Sequence, residues 1–268
     1  MKKILLFNFI FFIFFYFNFA SAEIMKAQID HNDLNYKNKI IDTRTQEAIG
    51  DAKITIPDLD FTTYTDKNGL FQLNIDINEK TVLFVEKDGY KIFSLAIDNT
   101  ILKNPLKLGI EKSSPFDMQL NKGLVHLGDN MFSDNSANSK DFKLGANGSF
   151  YEHTFEKPSF SQKQDVVVKI GTIIGLDTKK AKQTGQNNIV KVYSSPTEIF
   201  VNGHKIGQLE LNGNNYEINI PKNILKTTNE LVIKTGKNIF QKSYIDYDDI
   251  ELANISIEIK EKYHYAHN

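Results

Sequence analysis

Short apolar runs of period two, cut every ten residues or so by Asn, Asp and Gly, constrain this chain more than any other feature. Side chains alternate across a strand, so such runs each present one apolar face. Helix-like periodicity is nearly absent beyond the first residues. In the first half, strands are expected over 39–43, 52–56, 62–65, 70–75, 81–86 and 91–96. In the second half they are expected over 148–155, 164–172, 188–193, 198–201, 205–209, 216–220, 230–235 and 250–259, after an opening run at 116–120. Asn202-Gly203 sits between two of these runs. Both residues tolerate positive φ, so the pair predicts a tight hairpin. Pro221 predicts a single helical turn over 222–225, and the polar stretch 177–187 reads as a loop. The pattern gives an all-β protein of two β-sandwich domains.

The ends of the chain read differently. Met1-Lys2-Lys3 precede an apolar run from Ile4 to Phe19 that closes on Ala20-Ser21-Ala22. A positive start, an apolar stretch and an A-x-A exit make a secretory signal peptide over 1–22. Its run is also about as long as the shortest membrane helices, roughly 17 residues, so an uncleaved anchor is the competing reading. Cleavage after Ala22 would make Glu23 the first residue and leave the remainder near −3, from a formal charge of −1. No other run approaches membrane length, and no basic face suggests nucleic acid. There is no cysteine, hence no disulfide and no lipid-bearing N-terminal Cys. The expected location is secreted or periplasmic. Residues 263–268 read as a flexible tail.

A stretch with Pro105, Gly109, Ser113 and Ser114 marks the domain boundary, giving modules over 23–110 and 111–262. In the first, Ile40-Ile41-Asp42, then Ala48 to Ile56, then Thr65-Asp66-Lys67-Asn68-Gly69-Leu70-Phe71-Gln72-Leu73, with a later Gly89-Tyr90, resemble the carboxypeptidase regulatory-like domain. That resemblance spans 37–98 and implies a seven-strand transthyretin-like or immunoglobulin-like sandwich. It implies no catalysis, but a spacer or folding partner. Asn38 and Ala48 stand where the family usually has Gly and Pro. Asp66 and Asn68 can bond their own backbone while Gly69 takes positive φ, so the chain reverses tightly.

In the second module, Leu127 to Phe132, Ile199-Phe200-Val201-Asn202-Gly203, the Pro221 to Ile233 segment and Asp246 to Ile255 together resemble a galactose-binding-domain-like jelly roll. The resemblance covers 116–261 and implies carbohydrate binding. Sugar recognition needs aromatic faces beside planar polar groups. Phe132, Tyr151, Tyr244 and Tyr247, with Asn130, Asn135, Asn138, Asp246 and Asp248, are the candidates. With no Trp, a crystalline polysaccharide is disfavoured. Asp246, Asp248, Asp249 and Glu251, completed by Asp129 and Asp134, form a candidate structural Ca²⁺ set, because hard oxygen ligands close in sequence can hold that ion. Solvated turn acids are the alternative reading of the same residues. The spacing lacks the Gly and the length of an EF-hand.

An enzyme is not expected. No pair of carboxylates stands out for glycoside chemistry, no G-x-S-x-G or P-loop occurs, and six scattered histidines make no zinc spacing. His264 and His267 alone share a helical spacing, in the tail. The sequence therefore points to a non-catalytic protein binding a glycan or cell-surface polysaccharide. A structural or adhesion protein that binds another protein by its sandwich surfaces is the alternative.

Overall fold

The computed structural model describes residues 38–131, 142–186 and 193–261. The expected all-β architecture is observed. Seven strands make the first module: β1 (Asn38–Asp42), β2 (Lys53–Ile56), β3 (Phe61–Tyr64), β4 (Leu70–Phe71), β5 (Thr81–Glu86), β6 (Phe93–Ile97) and β7 (Lys107–Ile110). Eight make the second: β8 (Met118–Leu127), β9 (Phe150–Glu156), β10 (Gln164–Ile174), β11 (Thr197–Val201), β12 (His204–Leu209), β13 (Gly213–Ile220), β14 (Thr228–Lys234) and β15 (Ile250–Glu261).

The strands form four sheets, ordered β4-β1-β7, β3-β2-β5-β6, β13-β10-β15-β8 and β12-β11-β14-β9. Every pairing between them is antiparallel except β1 with β7. One core, including Ile40, Ile54, Leu83 and Ile110, lies between the first two sheets. A second, including Val168, Ile199, Leu231 and Ile257, lies between the last two. A third, smaller cluster of Val82, Phe84, Ile174 and Ala253 joins the modules. The first module is therefore stacked on the second, sheet against sheet, rather than held away from it as a spacer would be.

Stacking explains a departure from strict alternation. β5, β10 and β15 are buried almost without interruption, because each has a core on one face and the other module on its opposite face. A crease crosses the middle of the β13-β10-β15-β8 sheet. Gly171 of β10 falls opposite Asn215 and Asn254, and those two asparagines have φ of 56° and 58°. Each left-handed residue resets the alternation. On β15, Leu252 faces the core before Asn254, and Ile255 and Ile257 face it after. Strand β6 docks along this line. Ala96 N–H donates to Asn214 Oδ1 at 3.0 Å, Asn254 Nδ2 donates to the Ile92 carbonyl at 2.7 Å, and the Thr172 and Ser94 hydroxyls bond at 2.9 Å. The outer edge of β6 would otherwise present unpaired backbone groups.

Beside the crease lies an ion cluster centred on the buried Glu258. Glu258 accepts from Lys91 Nζ at 2.7 Å, with Lys169 and Lys260 at 3.7 and 3.3 Å. Lys91 also reaches Glu111, which Lys260 contacts at 3.2 Å. Burial opposes the charge of Glu111, but Lys169, Lys260 and Lys91 outweigh it and hold its carboxyl down to about 2. The same lysines lower Glu258 against the opposing effect of burial.

Several local expectations hold. The Asn202-Gly203 hairpin joins β11 to β12 with φ of 52° and 78°. Asp66 Oδ1 accepts from the amides of Asn68 and Leu70 at 2.8 and 2.9 Å, and Gly69 has φ 73°. A 3₁₀ turn spans Lys222–Ile224. Others need correction. The boundary stretch contains a strand, β7, because Leu108 and Ile110 enter the first core beside β1. The run expected over 70–75 pairs only at Leu70–Phe71. β8 continues past 120 to Leu127, pairing with β15. The polar loop 177–187 holds a short helix, α1 (Lys179–Gln183), nucleated by the Thr178 side chain, which accepts from Ala181 N–H at 3.0 Å. Asn38, where the resembled family has Gly, opens β1, and its Oδ1 accepts from Leu106 N–H at 2.8 Å. The strand expected over 188–193 falls mostly outside the described residues, and its last residue, Tyr193, is not in a strand.

Candidate functional site

One end of the second module is built by the segment between β14 and β15 and by the residues around Tyr193. The two are tied by main-chain bonds: Ser195 N–H to the Lys237 carbonyl at 2.8 Å, and Ile239 N–H to the Tyr193 carbonyl at 2.9 Å. Gly236 permits this approach, since a Cβ there would lie 1.8 Å from the Ser195 carbonyl oxygen. The segment closes on itself through Asn238, whose N–H donates to the Asp246 carbonyl and whose Nδ2 donates to Asp246 Oδ2 at 2.8 Å. Asn238 Oδ1 in turn accepts from Phe240 N–H at 3.0 Å.

The result is an aromatic rim. Phe240 and Tyr244 are 54% and 50% exposed, beside Ile239 and Ile245. The rings of Tyr193 and Phe240 are 5.6 Å apart. Lys182 Nζ stands 5.0 Å over the Tyr193 ring and Lys237 Nζ 5.5 Å over the Tyr247 ring. Among the residues expected to bind, Tyr244, Tyr247 and Asp246 meet here. Tyr247 is half-buried, and its N–H donates to Asp129 Oδ2 at 2.9 Å.

The other expected residues go elsewhere. Tyr151 lies on β9, packed against the core. Its hydroxyl is buried without a hydrogen-bond partner, and burial pushes it up to about 12. It is a wall of the sandwich rather than a loop ligand. Asn130, at φ 60°, is a turn residue whose N–H donates to Asp249 Oδ1 and whose Oδ1 accepts from Ala146 N–H. Phe132, Asp134, Asn135 and Asn138 lie outside the described residues.

The acids expected to share a cation hold separate protein partners. Asp129 accepts from the amides of Met131 and Tyr247. Asp246 accepts from Asn238. Asp248 is buried near Asp177, and burial followed by the Asp177 charge pushes its carboxyl well above the usual range. Asp249 bonds His126 Nε2 at 2.8 Å. Glu251 Oε1 accepts from the amides of Lys143 and Leu144 at 2.6 and 2.9 Å. Among the described residues no group of three or more His, Cys, Asp and Glu is placed to hold a metal ion.

The pair His126–Asp249 is the most chemically distinctive buried element. Its side chains are 0% and 1% exposed. The imidazole Nδ1 contacts the Leu144 carbonyl while Nε2 contacts Asp249. Each ring nitrogen thus faces an acceptor, an arrangement that favours the imidazolium. Burial opposes that charge, but Asp249 and the Leu144 carbonyl overcome it and raise the imidazole above its ordinary value.

The rim residues Tyr193, Asn238, Phe240, Lys182 and Lys237 were not singled out in the sequence. Asn238 to Tyr247 is dense in aromatics between two strands, which is a readable signal. Tyr193 and Lys182 join it only through folding.

No family model matches this sequence, and no curated protein matches it. Among solved structures, the chain superposes on a substituted form of BuGH86 in complex with neoagarooctaose. That match has 10% identity and a TM-score of 0.29, and covers 80% of this chain and 28% of that one. Wild-type BuGH86 in complex with neoagarooctaose gives 11% and 0.29, covering 70% and 28%. The chain thus spans less than a third of either neighbour. Likeness at that score carries no inference about fold or ligand.

Proposed function

We propose that this is a secreted or periplasmic, non-catalytic glycan-binding protein whose binding surface is the aromatic rim at the end of the second module. The exposed Phe240 and Tyr244 beside Asn238 and Asp246 carry the reading. Exposed rings offer faces to sugar C–H groups, and the Asp246 carboxylate, whose Oδ2 takes the Asn238 bond, offers its Oδ1 to a hydroxyl. The galactose-binding-like resemblance of 116–261 and the signal-like start at Met1–Ala22 support it. The non-catalytic part is supported by His126 and Asp249, which are closed from solvent with both imidazole nitrogens engaged.

A glycan array probed with the chain from Glu23 onward, and with a Phe240→Ala/Tyr244→Ala variant, tests the reading. Each lost ring contact is worth about 1 kcal/mol, so the variant should bind roughly 30-fold more weakly with an unchanged melting temperature. Equal binding by the variant, or no glycan bound by the parent, refutes it. Ile239 and Ile245, 46% and 57% exposed, favour a second reading in which the same rim docks a protein. Capture of one defined protein partner, lost in an Ile239→Ser/Ile245→Ser variant, would support it.

A further inference from the structure

The rim is lined with lysines as well as rings. Lys182 and Lys237 stand over Tyr193 and Tyr247. Lys242 Nζ donates to the Ile239 carbonyl at 3.0 Å, in the same segment as Phe240 and Tyr244. None of these three ammonium groups is paired with a carboxylate among the described residues. Lys179 is exposed on the adjoining helix, whereas Lys180 is partly neutralised by Glu210 at 3.3 Å. The acids nearby offset this charge only in part. Asp246 and Asp129 keep their charges while accepting from Asn238 and from backbone amides, and Asp248 is buried, so the acids at the rim are outnumbered by Lys179, Lys182, Lys237 and Lys242. A locally basic patch is notable in a chain whose formal net charge is −1.

We infer that the rim selects an anionic polysaccharide, one whose sugar rings carry carboxylate or sulfate groups. This rests on the glycan reading of the same rim and adds the class of glycan. Lys237 is exposed and Lys182 half-buried, and a lysine over a ring near the surface gains only about 0.5–1 kcal/mol. It can therefore leave that position to meet a ligand's negative group while the aromatic face receives the sugar. Neutral sugars would use the rings alone.

Calorimetric titration with polygalacturonate, a carrageenan and neutral pullulan, at about 0.02 M and about 0.5 M salt, tests this. The two acidic polymers should bind about tenfold more tightly than pullulan at low salt. The advantage should vanish at high salt. Lys182→Gln/Lys237→Gln should remove the advantage of the acidic polymers over pullulan, whereas Phe240→Ala/Tyr244→Ala should weaken binding of all three. Lys67→Gln/Lys103→Gln, with the same charge change at exposed sites outside the rim, should keep it. Pullulan binding as tightly as the acidic polymers, or equal losses in both double variants, overturns the inference while the glycan reading stands. No binding to any of the three, with an array equally blank, removes the glycan reading itself.

Discussion

Gly171→Ala tests whether the two modules form one cooperative unit. A Cβ at Gly171 would lie 2.2 Å from Ser94 Oγ, and 2.8 Å from both Cβ and Nδ2 of Asn254. Ser94 belongs to the first module and is fully buried, so the added methyl acts directly on the seam. Overpacking of this kind costs about 1–3 kcal/mol. Displacing Ser94 also breaks its 2.9 Å bond to Thr172, at about 1 kcal/mol more. The sum, about 2–4 kcal/mol, should lower the melting temperature by roughly 5–15 °C in a chain of this size. Gly123→Ala, whose nearest atom would be 4.0 Å away, is the control and should change stability by no more than about 0.5 kcal/mol. Ser94→Ala removes the closest atom, so the Gly171→Ala/Ser94→Ala double variant should cost less than the sum of the singles. Scanning calorimetry should show a single transition that moves as a whole. Two separate transitions with only the later one shifted, or a Gly171→Ala variant as stable as Gly123→Ala, would refute the stacked-seam account.

Further outcomes follow from the buried charges. Glu258→Gln leaves Lys91, Lys169 and Lys260 crowded without their shared acceptor, and should cost about 3 kcal/mol or more in urea unfolding. The exposed Lys205–Glu198 pair should yield less than about 1 kcal/mol in the same assay on Glu198→Gln. Equal costs would contradict the burial of Glu258 at the centre of the first cluster. Stability should also depend on pH. The folded state raises His126, despite burial, through Asp249 and Leu144, so its contribution is full below about pH 6.5 and lost as pH climbs through the folded value. Glu251, raised chiefly by burial, acts in the same direction. Glu111 and Glu258 are lowered in the fold, and their contribution disappears as pH falls below the ordinary carboxylate range. Melting temperature should peak between about pH 5 and 6.5 and decline towards pH 8. The decline should flatten in His126→Gln. A melting temperature that climbs through pH 6 to 8 would contradict this account.

Much of the fold was legible because it rests on local chemistry. Turn residues such as Asp66, Gly69, Asn202 and Gly203 act on their own backbone, and alternating apolar residues mark most strands. What was misread depended on distant partners. β7 reads as linker because Pro105 and Gly109 surround only two apolar residues, and it becomes a strand by pairing with β1 across 68 positions, Lys39 with Lys107. The candidate site was half legible. Tyr244, Tyr247 and Asp246 share one aromatic-rich segment, whereas Tyr193 and Lys182 reach it through main-chain and ring contacts that no spacing encodes. Tyr151 fell in an expected strand, and only the packing of β9 showed that its ring turns against the core.

Sequence by itself determined that this chain is built of β-sandwiches, where most of its turns fall, and that no cysteine holds it together. Those properties follow from side-chain periodicity and backbone preference, which act over a few residues. Only the tertiary structure decided that the modules stack, that Gly171 lies in a crease between two left-handed asparagines, and that the acids of 246–251 disperse to separate partners. Burial, ion pairing and close approach depend on which faces meet, and residues far apart in the chain supply those faces.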